Sequence, residues 1–153
     1  MDKEDLIRKY AGGEKDFTGM NFRGVDWRDK TIRGGIYRET DFSNSYFDSS
    51  AFREVDLSFA KFQRVCMYEG GFMNSYMEGA DFSYAVFGQI SFYNVDLRGA
   101  IFKNATFDEA GFSRANLSYV NLSGAKKLII ESCENVIFYE TIMPDGSIRT
   151  DKV

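Results

Sequence analysis

From Phe17 to Leu122 every fifth residue of this chain is apolar. The series runs Phe17, Phe22, Trp27, Ile32, Tyr37, Phe42 and onward without exception to Phe112, Leu117 and Leu122, 22 apolar residues in 22 consecutive pentads. With 44% of the chain hydrophobic, chance agreement is on the order of one in ten million or rarer, so this periodicity is the primary structural signal. An α-helix repeats at about 3.6 residues and a strand at two, and neither asks for five. Two positions before each large residue sits a second, smaller series, reading Ala80, Ala85, Ile90, Val95, Ala100, Ala105, Ala110, Ala115 and Val120 in the later pentads. Residues two apart share one face of an extended segment, and the residue between them points away. The two remaining positions are filled largely by Gly, Ser, Asn, Arg and Glu, turn and solvent residues. Each pentad therefore reads as a short strand followed by a corner. A chain that keeps burying the same side winds into coils around a closed interior, and its backbone groups find partners only when the coils stack.

The pentads "ANLSY", "VNLSG", "ADFSY", "VDLRG" and "VDLSF" resemble the A(D/N)LXX unit of the pentapeptide-repeat family. The resemblance implies an all-β fold, a right-handed quadrilateral β-helix with four pentads per coil, in which the 22 pentads make about five and a half coils spaced by about 4.8 Å. Residues twenty apart then stack. Phe22, Phe42, Phe62, Phe82 and Phe102 form one aromatic column, and Phe52, Phe72, Phe92 and Phe112 form another above Ile32, each ring burying about 150 Å² or more. The Asp and Asn residues that precede the large residue, such as Asp26, Asp41, Asp56, Asp81, Asp96, Asn116 and Asn121, are expected to accept hydrogen bonds from backbone N–H groups at the corners rather than to serve as acid or metal-binding groups.

An open stack of coils needs caps. At the N-terminus Asp2 suits an N-cap, Leu6, Ile7 and Tyr10 fall on one helical face, and Gly12-Gly13 stops the helix. The stretch "LIRKYAGGEKDF" is similar to the capping helix of cyanobacterial pentapeptide-repeat proteins. "YETIMPDGSIRTD" is similar to their C-terminal tail, in which the last coil ends in a Pro-Asp-Gly turn. Near Lys126 the register slips. The old phase would bury Lys127 and Ser132, at high energetic cost for the lysine, whereas a one-residue shift places Leu128, Cys133, Phe138 and Met143 inside. A single domain is expected: a short α-helical cap over 1–14, regular coils over 15–125 and a register-shifted final coil and tail over 126–153. Lys30 occupies an inward small position, so a bulge is expected around residues 29–36.

Composition narrows function. The chain has 153 residues and a net charge of −4, with no His and two Cys. This argues against phosphate-backbone neutralisation and direct nucleic-acid binding, and removes the commonest general base and metal ligand. No phosphate loop and no ligand spacing for a metal are present, so no catalytic residue, cofactor or metal is assigned and an enzyme is not expected. Cys66 as a nucleophile lacks a neighbouring base. Two distant cysteines read as free thiols of a reducing compartment, and the charged "MDKED" start with no long apolar run points to a cytoplasmic protein with no membrane span.

Function is then expected on outward residues. Arg23, Arg28, Arg33 and Arg38 ring one coil rather than forming a patch. The face centred on Trp27, Phe47, Met67, Phe87 and Phe107 displays Tyr46, Cys66, Tyr68 and Val86 beside Asp48, Glu69, Asp108 and Glu109, the mixture of outward apolar groups and acidic margin expected of a protein-binding surface. Tyr93 with Met73, and Phe59 with Tyr76, are lesser candidates. The preferred reading is a rigid, non-catalytic scaffold that binds another protein, as a monomer or a dimer through a coil end. The alternative carried by the resemblance is a duplex mimic that binds DNA gyrase or topoisomerase, against which the modest charge and the arginine ring both weigh.

Overall fold

The structure is a computed structural model and describes residues 3–130 and 133–153; the expected N-cap Asp2 and the residue Ser132 lie outside these. A short helix, α1 (Lys3–Ala11), is followed by a right-handed parallel β-solenoid. Strands β1 (Thr31–Arg33), β2 (Ser50–Arg53), β3 (Cys66–Met73), β4 (Val86–Tyr93) and β5 (Thr106–Asp108) form one parallel sheet in sequence order. On the other walls single parallel bridges carry the same stacking, as in Asp16–Ile36–Asp56–Tyr76–Asp96–Asn116. As far as Lys126 every such step is twenty residues. The expected quadrilateral coil is therefore the observed one, and all 22 large inward residues are buried.

The corner geometry has one recurring cause. The second residue after each large one has positive φ in all 22 pentads, whether it is Gly, Asn, Glu or, at Phe59, Tyr84 and Tyr119, an aromatic. Where the next small residue donates back to the large one, as Ala80 N–H does to the Met77 carbonyl at 3.1 Å, this is the signature of a type II turn. The preceding Asp or Asn ties the corner down: the backbone N–H groups of Arg28, Ser43, Ser58, Ser83, Arg98, Ser118 and Ser123 donate to the side chains two residues before them at 2.9–3.2 Å. Polar residues at inward small positions are satisfied by the coil above. Thr40, Ser45 and Ser50 hydroxyls donate to the carbonyls of Phe17, Phe22 and Trp27 at 2.8–3.0 Å.

Within a column the rings stack nearly parallel, with Phe62–Phe82 and Phe82–Phe102 centroids 4.9 and 4.8 Å apart. Across columns they meet edge to face, as in Phe82–Phe92 at 82°. Both geometries are the favourable ones for ring quadrupoles. The column over Ile32 is continuous from Phe52 to Phe112, at 5.3, 5.3 and 4.9 Å.

At the N-terminal end Leu6 is buried and Tyr10 half-buried, its hydroxyl donating to the Arg33 carbonyl, but Ile7 is exposed. The helix stops as expected: Glu14 N–H donates to the Lys9 carbonyl and Gly13, at φ +97°, donates to Tyr10, a Schellman arrangement. The expected bulge over 29–36 is absent. Thr31, Ile32 and Arg33 pair in register with Ala51, Phe52 and Arg53, and Lys30 is simply exposed. The reason is its place in the first coil, where no coil lies above and α1 leaves that corner uncovered, so the lysine needs no distortion to reach water.

The register slip is present. Thr106 still bridges Lys126, but Asn116 bridges Ile137 and Asn121 bridges Ile142, steps of twenty-one. Lys127 is exposed, Cys133 and Phe138 are buried, and Leu128 and Met143 are only half-buried. Ile130 and Val136 share the burial expected of those two, because the chain leaves the regular coil here and closes the end with an antiparallel pair, β6 (Ile137–Ile142) and β7 (Ile148–Lys152). The Arg149 guanidinium lies over the Phe138 ring, 4.0 Å from its centroid, and so covers the last apolar layer with a cation–π contact.

Candidate functional site

The parallel sheet builds the wall that carries the outward candidates. Because β2, β3, β4 and β5 pair in register, outward positions twenty apart stand directly above one another. Tyr46, Cys66, Val86 and Thr106 form one column, linked through the Tyr46–Cys66 bridge. Tyr68, Gly88 and Asp108 form the next, headed by Asp48, whose carboxylate accepts the Tyr68 N–H at 3.1 Å. Glu69 and Glu109 occupy the following corner column. All eight residues singled out by sequence thus lie on one wall.

Their exposure differs. Tyr46 and Tyr68 are 53% and 47% exposed, whereas Cys66, Val86 and Asp48 are half-buried between neighbouring coils. Tyr68 lies flat across the next coil, because a Cβ on Gly88 would fall 2.3 Å from its ring. Phe59 covers Gly79 in the same manner. An aromatic twenty residues before a glycine is thus a readable signal for a ring laid along the wall. The acidic margin is partly committed: Asp108 pairs with Lys127 at 3.1 Å, Glu109 accepts from Gln89 at 3.2 Å and Glu69 from Ser49 at 3.4 Å. Neither Glu69 nor Glu109 has an ion-pair partner among the described residues.

Burial and then the Asp48 charge push the Cys66 thiol above its ordinary pKa, the opposite of what a nucleophile needs. With the thiolate disfavoured, reaction of native protein with a disulfide reagent at pH 7.5 is expected to be slower than that of a free thiol and to accelerate as pH rises. Asp48→Asn should speed it by roughly two- to fivefold. A rate matching that of glutathione at the same pH contradicts this.

The arginine ring is neutralised in place. Arg23 pairs with Asp41, Arg28 with Asp26, Arg33 with Glu54 and Arg38 with Asp56, at 3.3, 2.6, 4.0 and 2.9 Å. These exposed pairs contribute little to stability, yet they leave neither a basic patch nor an acidic stripe over the first coils. Among the described residues no group of three or more His, Cys, Asp or Glu side chains is placed to hold a metal, and no helix is long and apolar enough to cross a membrane.

A family profile described as "Pentapeptide repeats" matches in eight copies, over residues 38–69, 75–113 and 90–126. These cover more than half of the chain. The chain belongs to the pentapeptide-repeat family. Solved structures resemble this pentapeptide-repeat protein in fold. Trypsin-treated QnrB1, a plasmid-mediated fluoroquinolone resistance protein, aligns with a TM-score of 0.58 at 17% identity, over 85% of this chain and 70% of that one. A pentapeptide-repeat protein of the Arabidopsis thaliana thylakoid lumen aligns with a TM-score of 0.48 at 24% identity, over 69% and 67%. A search of curated sequences returned no significant match. The eight-copy match agrees with the physical reading, since one pentad cannot bury its apolar side alone and stacking is what makes the repeat stable.

Sequence reading passed over the corner where the wall of Phe72 and Phe92 turns into that of Met77 and Leu97. There Asn74, Asn94 and Arg114 face Tyr76, Asp96 and Asn116 across a groove of about 430 Å³. Of these only Tyr76 stood out as an outward candidate: Asp96 and Asn116 read as corner-tying residues, Asn74, Asn94 and Arg114 each read alone as an ordinary corner, and the groove exists only where three coils align.

Proposed function

We propose that this pentapeptide-repeat protein is a rigid, non-catalytic interaction module that docks another protein on the wall carrying Tyr46 and Tyr68. The observation that supports this is the pair of half-exposed tyrosines on one wall, Tyr68 within the in-register parallel sheet and Tyr46 bridged to it at Cys66, beside the carboxylates of Glu69 and Glu109. Tyrosine supplies large contact area with few rotatable bonds, and such residues dominate protein interfaces. A stacked coil cannot close around a substrate, so a rigid wall is what this architecture offers a partner.

The test is affinity capture from native extract with wild type, a Tyr46→Ala/Tyr68→Ala double variant and a Tyr84→Ala control. A partner held in stoichiometric amount by wild type and control, and reduced at least tenfold by the double variant, supports the reading; hot-spot tyrosines contribute about 2 kcal/mol or more each. Capture unchanged by the double variant overturns it. The fold likeness to QnrB1 makes a gyrase supercoiling assay the natural second measurement. Inhibition at micromolar protein favours the duplex-mimic reading, and its absence at that concentration removes it.

A further inference from the structure

A groove of different chemistry lies at the Asn74–Asn94–Arg114 corner. One wall is a ladder of corner residues twenty apart. The Asn94 amide donates to the Asn74 carbonyl oxygen at 2.9 Å, which leaves one NH2 group and one carbonyl oxygen of this exposed pair uncommitted among the described residues, the donor and acceptor that a peptide group matches. On the other wall Asn116 spends its oxygen on the Ser118 N–H and hydroxyl at 3.0 and 2.7 Å, leaving its NH2 as a further donor, and Tyr76 is 63% exposed. The floor is closed by the buried residues Ser75 and Val95.

Charge decides what fits. Asp96 is held by Arg98 through both carboxylate oxygens at 2.8–3.0 Å, and Arg98 also reaches Glu78 at 3.4 Å. The groove's acid is therefore neutralised. Arg114, in contrast, has no carboxylate within ion-pair distance among the described residues, and its guanidinium is steadied over the Tyr93 ring at 5.7 Å. On a chain of net charge −4, this groove has an uncompensated positive end. Three coils span about 10 Å, the length of about three extended residues.

We propose that this groove binds an extended segment of another protein carrying a carboxylate side chain. Its main chain pairs with the Asn74–Asn94 ladder, its carboxylate takes the Arg114 fork in a charge-assisted pair, and an apolar neighbour rests on Tyr76.

The test is an NMR titration of the full chain with the blocked tripeptides Ac-Ala-Glu-Ala-NH2, Ac-Ala-Gln-Ala-NH2 and Ac-Ala-Lys-Ala-NH2, with sodium acetate and trigalacturonate as further arms. The glutamyl peptide is expected to shift the amides of Asn74, Asn94 and Arg114, with the glutaminyl peptide binding at least about fivefold more weakly and the lysyl peptide not at all. Arg114→Gln should reduce glutamyl binding to the glutaminyl level. Gln89 already occupies an equivalent positive-φ corner, so that variant keeps its backbone. Asn94→Gly, which preserves the left-handed conformation, should weaken the glutamyl and glutaminyl peptides alike. Tyr46→Ala/Tyr68→Ala should leave all of these titrations unchanged, so failure here and failure of the docking wall are read separately. Three results overturn the proposal: acetate shifting the same amides as strongly as the tripeptide, trigalacturonate binding tenfold more tightly than it, or lysyl and glutamyl peptides binding equally.

Discussion

Gly71→Ala is expected to destabilise the protein by about 4 kcal/mol or more, and Gly70→Ala by a similar amount. Both glycines lie in β3 with φ of +130° and +123°. A Cβ on Gly71 would fall 2.1 Å from the Ser91 carbonyl oxygen, and one on Gly70 1.9 Å from that of Ser50. In each case the obstacle is backbone of a neighbouring coil, itself held in the sheet by the pairing of Gly70 with Ser50 and of Gly71 with Ala51 and Ser91. Neither side can give way without breaking the stack. Gly99 supplies the contrast. It too has positive φ, at +67°, but a Cβ there meets nothing within 4 Å, so Gly99→Ala should cost only the left-handed penalty of about 1–2 kcal/mol. Urea unfolding of the three variants checks the order, and a Gly71→Ala midpoint equal to that of Gly99→Ala would show that the coils relax more readily than this packing allows.

Phe82→Ala should cost about 4–5 kcal/mol, in the upper range of large-to-small core replacements. Phe82 is fully buried. Its ring stacks on Phe62 and Phe102 and meets Phe72, Phe87 and Phe92 edge to face or nearly so, with all five centroids 4.8–5.9 Å away. Removing it opens a cavity at the crossing of columns whose backbones are fixed by coil-to-coil hydrogen bonds, which limits collapse. Phe17→Ala, at the end of its column with a single ring neighbour among the described residues, Tyr37 at 5.2 Å, should cost clearly less. Equal losses at the two sites would mean that the interior is not held by the ring network. Phe82→Leu, which restores most of the volume, should recover more than half of the loss.

Much of this fold was readable because the information is local and repeated. Phe82 and Ala80 have the same roles as Phe87 and Ala85 five residues on, so every pentad restates which side is inward, and Asp81, like Asp41, Asp56 and Asp96, marks a corner tied by its own side chain. Lys30 misled that reading because the rule assumes a coil on each side, and the first coil has none above it. Leu128 and Met143 were misplaced for the related reason that the periodicity ends where the slip begins. The wall of outward candidates was legible in part. The twenty-residue period put Tyr46, Cys66, Tyr68 and Val86 together, but nothing local says that Tyr68 lies on Gly88 while Cys66 is half-covered.

The sequence by itself determined that the chain winds into stacked coils, which side of each pentad is inward and which Asp and Asn tie corners, while the four pentads per coil, and with them the columns twenty residues apart, were implied by the resemblance to the pentapeptide-repeat family. Only the tertiary structure decided the outward chemistry: which arginines are neutralised, which corners remain continuous strand, and where Asn74, Asn94 and Arg114 line up beside Tyr76. Burial is dictated by each pentad's own composition, whereas a surface site is made by side chains that become neighbours only after the coils have stacked.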